Sequence, residues 1–276
     1  MSFTLFQTTL KLNRWAIGSW AVFFILYGLM IVLLFPSIKE TSGLVMQEYI
    51  ESLPEGMLNA MGLTEDVRRD MFATGSFTLA GFLGTEYLNW WPLIIGIYAF
   101  MFGSGIIARE VERGTMEFLL SHPIPRYKVV VSKFVSFLAI VGILVVCSVL
   151  GIAAGLPIVG EDLNMARVFV VILQGGLVAT AIAAYSLLIS CIALDPRKAM
   201  AIAGGMTAGL YILNLIGPIL GPFEWLQKLS LFYYFRPFEM LFQGKFVLSS
   251  FVVYLGITAA CFAGALVVFQ RRKAVV

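Results

Sequence analysis

Residues 109–128, REVERGTMEFLLSHPIPRYK, form a short charged segment between two long apolar stretches. Seven of these twenty residues are Arg, Lys or Glu, whereas Asp, Glu, Lys and Arg together make up only 13% of the whole chain. A segment with this much charge is stable in water and not in an apolar surrounding. The stretches on either side need a different environment, and the composition of the chain indicates which one.

Composition predicts an all-α integral membrane protein. The chain has 276 residues, of which 60% are hydrophobic, and a soluble domain carries about 25% charged residues, roughly twice the share found here. Apolar stretches of about 20 residues recur, and a helix of that length crosses the roughly 30 Å hydrocarbon core of a bilayer. We predict six transmembrane helices in a single domain, at about residues 15–35, 87–108, 134–159, 168–194, 199–220 and 246–269.

The N-terminal residues are predicted to lie in the membrane interface. Residues 2–14 place Phe3, Phe6 and Leu10 on one face of a helix. A short helix with an apolar face and a polar face is typical of interfacial amphipathic helices.

Two long loops are also expected to contain helices at the membrane surface. Pro36 is predicted to end the first span. The loop 37–85 that follows contains two stretches with helical apolar spacing, LVMQEYIESL and PEGMLNAMGL, and a lid over a binding site is the alternative interpretation of this loop. The loop 223–245 is too polar to span and too apolar to be free in water, which favours an interfacial or half-inserted helical excursion.

Basic residues are distributed unequally between the two sides of the membrane. Six spans place both termini, residues 109–133 and the turn 195–198 on one side, which carries twelve Lys and Arg against four Asp and Glu. The other side carries seven Lys and Arg against twelve Asp and Glu. Because the basic side of a membrane protein faces the cytoplasm, we expect cytoplasmic termini, a cytoplasmic segment 109–128, and external loops 37–85 and 223–245.

The sequence lacks the motifs of common catalytic sites. It contains no phosphate-binding loop of the G-x-x-x-x-G-K-[ST] type, no H-E-x-x-H and no G-x-S-x-G, and its single histidine is too few for a His-based metal cage. The chain itself is therefore not predicted to be an enzyme, and any ATP must be hydrolysed by another chain. The polar residues inside the predicted spans are not ionisable at neutral pH, which disfavours an ion-coupled transporter: Asn89, Ser104, Gln174, Tyr185, Thr207, Tyr211 and Asn214.

The central segment has the pattern of a docking helix. Thr115 can cap a helix whose apolar residues Met116, Leu119 and Leu120 share one side. Pro123 and Pro125 are predicted to end that helix. An apolar-faced helix flanked by charges is suited to a groove on a cytoplasmic partner. An ordinary solvated loop is the alternative.

The stretch IAREVERGTMEFLLSHPIPRYKVVVSK resembles the signature of ABC-2-type permeases, the membrane subunits of ABC exporters with the type V fold. The matching positions are Glu110, Glu112, Gly114, Thr115, Glu117, Leu119, Leu120, Ser121, Pro123, Arg126 and Lys133. The amphipathic N-terminal helix, the six spans and the excursion before the last span agree with that family, so the resemblance covers essentially the whole chain.

The resemblance implies partners and sites. The segment at about 109–126 would be a coupling helix seated in a cleft of a separate ATPase subunit, which binds the ATP and Mg²⁺, while this chain holds no cofactor or metal. The implied coupling residues are Glu110, Glu112, Arg113, Gly114, Thr115, Glu117, Leu119, Leu120, Pro123 and Arg126. A second permease copy, identical or related, would complete a substrate path lined by spans two and five, whose candidate residues are Asn89, Ser104, Thr207, Tyr211 and Asn214.

The function expected from these observations is that of a permease subunit of an ATP-driven ABC transporter in a prokaryotic cell membrane. Its apolar interior favours export of a hydrophobic or amphipathic substrate, such as a drug, a peptide or a lipid, and no nucleic acid partner is expected. The alternative is a non-transporting membrane scaffold or sensor that reuses the fold. An intramembrane enzyme is a weaker third hypothesis, because the catalytic motifs are missing.

Overall fold

A computed structural model gives the fold and describes residues 3–60, 63–72, 77–115, 125–219, 221–244 and 248–272. These residues form helices, short turns and no strand. The α-helices are α1 Phe3–Leu12, α2 Arg14–Ser52, α3 Glu55–Ala60, α4 Glu65–Met71, α5 Leu79–Leu83, α6 Trp91–Glu112, α7 Arg126–Val159, α8 Met165–Ala193, α9 Pro196–Ile216, α10 Pro237–Gln243 and α11 Leu248–Arg271. A π-helical turn, Gly84–Leu88, joins α5 to α6, and 3₁₀ turns cover Gly217–Ile219, Gly221–Leu229 and Phe232–Tyr234.

Six helical stretches are long and apolar enough to cross a membrane, which confirms the predicted all-α fold with six candidate spans. They are Arg14–Lys39, Leu79–Glu112, Arg126–Val159, Met165–Ala193, Pro196–Ile216 and Leu248–Arg271.

The prediction that Pro36 ends the first helix is wrong, because α2 continues through Pro36 to Ser52. Proline removes one backbone hydrogen bond and crowds the preceding turn. Contacts on both sides of Pro36 hold the helix together: the ring of Phe35 lies 6.0 Å from that of Phe82, and Lys39 Nζ lies 2.6 Å from Glu161 Oε1. The first stretch assigned to a separate surface helix, LVMQEYIESL, is therefore the end of α2.

The second span also begins earlier than predicted. Its helix starts at Leu79 rather than Tyr87 and runs through α5 and the π-helical turn into α6. Thr78 caps this start, since its hydroxyl accepts a hydrogen bond of 3.2 Å from the Gly81 amide. The polar residues Thr85 and Glu86 interrupt the apolar stretch, so the sequence alone does not indicate that the helix begins at Leu79.

The third span begins at Arg126 rather than at residue 134. The added turns contain basic residues, but Val129 and Val130 are fully buried and anchor them to the bundle. Lys133, which the sequence placed before the membrane, is therefore a helical residue that is itself largely buried.

The loop regions contain short helices. In the first loop, the second predicted stretch corresponds to α3, which follows Pro54, and α4 is an additional helix. The segment 223–245 has the predicted helical character over its described residues, as 3₁₀ turns followed by α10. Ser230 Oγ donates to Leu210 O at 2.7 Å, and Tyr254 Oη donates to Leu231 O at 3.0 Å, so this segment is fastened to α9 and α11.

Helix α8 lies at the centre of the bundle and packs against α6, α7, α9 and α11, while α2 packs against α7. The two ends of the described chain meet near the start of α7. Ser136 Oγ donates to Phe6 O at 3.4 Å, and Arg126 Nη1 donates to Arg272 O at 2.5 Å. We call this end of the bundle the termini face and the other end the opposite face.

Candidate functional site

A largely buried ion pair joins α6 to α7 at the termini face. Lys133 Nζ lies 2.5 Å from Glu110 Oε1 and also donates to Ile106 O at 3.2 Å. The Lys133 side chain is 11% exposed and that of Glu110 is 25% exposed. Because removing one member leaves the other charge poorly solvated, breaking a buried pair costs roughly 3–5 kcal/mol. The pair therefore fixes the last turn of α6 to the second turn of α7.

The residues that follow α6 turn back onto this ion pair. Arg113 ends the helix and Gly114 adopts the left-handed conformation with φ +67°, which an L side chain rarely adopts. No atom lies within 4 Å of a Cβ built at Gly114, so the backbone angle and not lack of space requires glycine there. The Thr115 hydroxyl donates to the Glu110 carbonyl and contacts the Glu110 carboxylate.

A second connection joins the start of α7 to α11 and α8. Arg126 donates to the carbonyl of Arg272, and the guanidinium of Arg272 donates to Ile192 O at 2.7 Å. Residue 126 ends the predicted coupling segment, so both ends of that segment are attached to neighbouring helices. A displacement at either end would therefore reach α6, α7, α8 and α11.

Ser190 of α8 makes an internal contact that links α8 to α6 just before the charged segment. Its hydroxyl donates to Ser104 O at 2.6 Å and accepts from the amide of Ala108 at 3.0 Å. These two α6 groups are four residues apart, the spacing of one hydrogen bond within a helix. Ser190 therefore bridges a turn of α6 that lies less than two turns from Glu110.

The described coupling residues differ in their surroundings. Glu110 and Arg126 are part-buried and bonded, whereas Glu112, Arg113, Gly114 and Thr115 are exposed. Exposed charges next to an anchored helix end are suited to contact with another protein. Four further coupling residues of the prediction lie outside the described residues: Glu117, Leu119, Leu120 and Pro123.

The predicted path residues differ in their burial within a single chain. Ser104 and Thr207 are buried, Ser104 beside α8 and Thr207 with its hydroxyl 2.5 Å from Tyr185 Oη. Tyr211 packs against the ring of Phe232, and Asn214 accepts a hydrogen bond from Gln227. Asn89 lies half-buried next to the π-helical turn.

The carboxylate of Asp195, at the termini face, caps the start of α9. Asp195 accepts hydrogen bonds from the amides of Lys198 and Arg197, at 3.1 and 2.8 Å, and so caps α9. These amides and the two neighbouring cations lower the pKa of Asp195. The cap fixes the direction in which the chain leaves α8.

Among the described residues, no three His, Cys, Asp or Glu side chains are grouped in a way that could hold a metal ion. The termini face instead offers ion pairs, backbone anchors and exposed charges. Such an arrangement can bind a partner and transmit a displacement.

The sequence alone does not reveal three anchors of this site, Lys133, Ser190 and Arg272. The sequence indicates the charge of Lys133 but not its burial, because the predicted third span begins only at residue 134. Ser190 carried no signal at all, since an isolated serine in an apolar helix usually bonds within its own helix. Arg272 was read only as part of the basic end of the last span.

Comparison with protein families gives a match to the model described as ABC-2 family transporter protein over residues 6–274. Comparison with curated proteins gives no match. The family match covers almost the whole chain, including α1, all six candidate spans and the segment between α6 and α7. The chain therefore belongs to the ABC-2 family of transporters, as a multi-pass membrane permease component.

Proposed function

We propose that this chain is the permease subunit of an ATP-driven exporter whose ATP is hydrolysed by separate subunits. The segment 109–126 would dock into a cleft of the ATPase on the cytoplasmic side, which we assign to the termini face from its excess of Lys and Arg. The cargo proposed is hydrophobic or amphipathic. The membrane proposed is a prokaryotic cell membrane.

One observation carries this proposal: both ends of the docking segment are anchored in the helix bundle. Glu110 is paired with Lys133 at one end, and Arg126 is bonded to Arg272 at the other. A push on an unanchored loop would be absorbed by the loop. A push on this segment is passed to the helices, as coupling of an external ATPase to transport requires.

A second permease copy is part of the proposal, because α9 leaves most of its surface uncovered. Only Ala199, Ala203 and Thr207 of this helix are buried. We propose that the uncovered face of α9 meets a second copy, identical or related, and that the substrate path runs between the copies. Asn89, Tyr211 and Asn214 remain the path candidates that are not fully buried.

The proposal is tested by two matched pairs of substitutions in the full chain, co-expressed with candidate ATPases. Glu112→Arg reverses an exposed charge of the docking segment, and Glu224→Arg is its control at an exposed site of the opposite face. Leu119→Asp places a charge among the predicted docking residues, and Leu229→Asp is its control at a side chain that is 61% exposed.

The two segment variants are expected to lose at least about tenfold in affinity for the ATPase, since interface anchors dominate binding energy. As the affinity falls, ATP hydrolysis stimulated by the permease and transport should also fall, while the thermal stability of the permease stays the same. Transport that survives both segment variants would show that the segment does not couple. Failure to co-purify any ATPase would favour the non-transporting scaffold.

A further inference from the structure

A cavity of about 270 Å³ lies at the termini face between α1, α6 and α7. It is smaller than most pockets for drug-sized ligands. The polar side chains that line it are Thr9, Asn13, Arg109, Glu110, Arg113 and Lys133.

The cavity carries an excess of positive charge. Three cationic side chains and one carboxylate line it, which gives a net charge of +2. The carboxylate of Glu110 is already paired with Lys133. Among the described residues, neither Arg109 nor Arg113 forms an ion pair with a carboxylate, and Glu110 is the one carboxylate among the residues that line the cavity.

The backbone near the cavity leaves space for one of these cations. A Cβ added to Gly105 would come within 2.6 Å of Arg109 Nε and within 2.9 Å of Arg109 Cδ. The Arg109 side chain thus lies back along α6 over the glycine, toward the cavity that both residues line. Any larger residue at position 105 would displace it.

Apolar and aromatic side chains stand beside the cavity. Leu12, which lines it, is 78% exposed, and Trp15 is 80% exposed. The guanidinium of Arg14 lies 5.8 Å from the Trp15 ring. Exposed tryptophan, leucine and arginine together at the end of an amphipathic helix are typical of the headgroup region of a bilayer.

We infer that this cavity binds a phosphate group, supplied by the headgroup of an anionic phospholipid in the leaflet at the termini face. Arg109 and Arg113 would contact the phosphate, because guanidinium groups match its oxygens in geometry and charge. The apolar floor formed by Phe102 and Ile106 would accept the first carbons of the lipid. A soluble anion would gain nothing from contact with the apolar side chains of Phe102 and Ile106 or with the exposed Leu12 and Trp15.

This inference is independent of ATP coupling and concerns the chain alone. It is tested with the purified full-length protein in micelles of a neutral detergent, titrated with phosphatidylglycerol, with phosphatidylcholine or with inorganic phosphate. The measurement is the shift of the thermal unfolding midpoint, which gives an apparent Kd when a ligand binds only the folded protein. Phosphatidylglycerol is expected to stabilise the protein, and the other two are not.

Substitutions locate the binding site. Arg109→Gln with Arg113→Gln is expected to weaken phosphatidylglycerol binding about 25-fold, or roughly fivefold for each charge. The matched control is Arg197→Gln with Lys198→Gln, which removes two exposed cations near the same face and should leave the apparent Kd unchanged.

A second variant keeps all charges. Gly105→Ala should displace Arg109 and weaken binding about fivefold, whereas Gly142→Ala, at a helical glycine with nothing within 4 Å of an added Cβ, should have no effect. Equal stabilisation by inorganic phosphate would overturn the lipid as the source of the phosphate. An arginine double variant that binds phosphatidylglycerol as tightly as the unchanged protein would overturn the site.

Discussion

Helices α8 and α9 follow each other in the chain, are both apolar and rich in small residues, and have opposite surroundings. In the most apolar part of α8, 78% of the residues are buried within the chain, against 17% in α9. Helix α8 is covered by the four long helices α6, α7, α9 and α11 and by the short helix α10, whereas α9 buries one narrow row of side chains. Similar composition therefore serves two roles, the centre of one chain and a surface that another molecule must cover.

The glycines of the two helices show the same contrast. A Cβ added to Gly175 of α8 would come within 2.5 Å of the Trp91 ring, and one added to Gly205 of α9 would meet no atom within 4 Å. Glycine in α8 is needed because another side chain occupies its space. Gly205 of α9 is either unnecessary or needed by a neighbour outside this chain.

The largest effect is expected from Gly175→Leu. Inserting a leucine against the fully buried Trp91 should cost about 3 kcal/mol or prevent folding, because a packed core cannot expand locally. The matched variant Gly205→Leu should leave the thermal unfolding of the isolated chain unchanged. Unfolding followed in detergent checks both.

Gly205→Leu also separates lipid from a second copy as the neighbour of α9. Transport should be lost if a second permease packs there, because a leucine would hold the two helices apart. Retained transport and retained oligomeric mass would identify that face as lipid-exposed. If Gly175→Leu and Gly205→Leu were equally stable, the difference in burial between α8 and α9 would be contradicted.

A smaller effect is expected at the hydroxyl contact between the two helices. Thr207→Val removes the partner of Tyr185 Oη, which is buried, and should destabilise the chain by about 1–2 kcal/mol. Thr180→Val is the control, since the bond that the Thr180 hydroxyl makes among the described residues is to Gly176 O of its own helix. If both variants shift the unfolding midpoint equally, the contact does not hold α9 to α8.

The smallest effect concerns the turn that separates the two helices, and it depends on pH. The lowered pKa of Asp195 means that the folded state favours the carboxylate, so its contribution is present at neutral pH and is lost as the pH falls through that pKa. Hydrogen exchange of the Lys198 amide should therefore speed up relative to the rest of α9 only when the pH falls below the range in which an Asp carboxyl ordinarily titrates. Asp195→Asn keeps a capping side chain that cannot ionise, and its exchange should lack this change.

The sequence was sufficient for the number of spans and for the segment between spans two and three. Apolar length reveals spans directly, and the mixture of Glu, Arg, Gly and Thr around Gly114 is unusual enough to be recognised. It was not sufficient for helix ends. Pro36 and Glu86 are signals that normally stop a span, and tertiary contacts override both.

Burial could not be predicted for helices that share the same composition. The residue types of α8 and α9 do not indicate which of the two helices lies at the centre of the bundle. The prediction of the site was incomplete for the same reason, because Lys133 and Ser190 bond to partners 23 and 86 positions away in sequence. Such pairings follow from the arrangement of helices and not from local pattern.

The unbroken helix α2 has a mechanical consequence. Its 39 residues at 1.5 Å each extend for about 58 Å, nearly twice the roughly 30 Å of the hydrocarbon core. Only Asn13 separates it from α1 at the termini face. A rod of this kind conveys torque as well as displacement, so a small tilt of α1 would turn the far end of α2 at Ser52, beyond the bilayer.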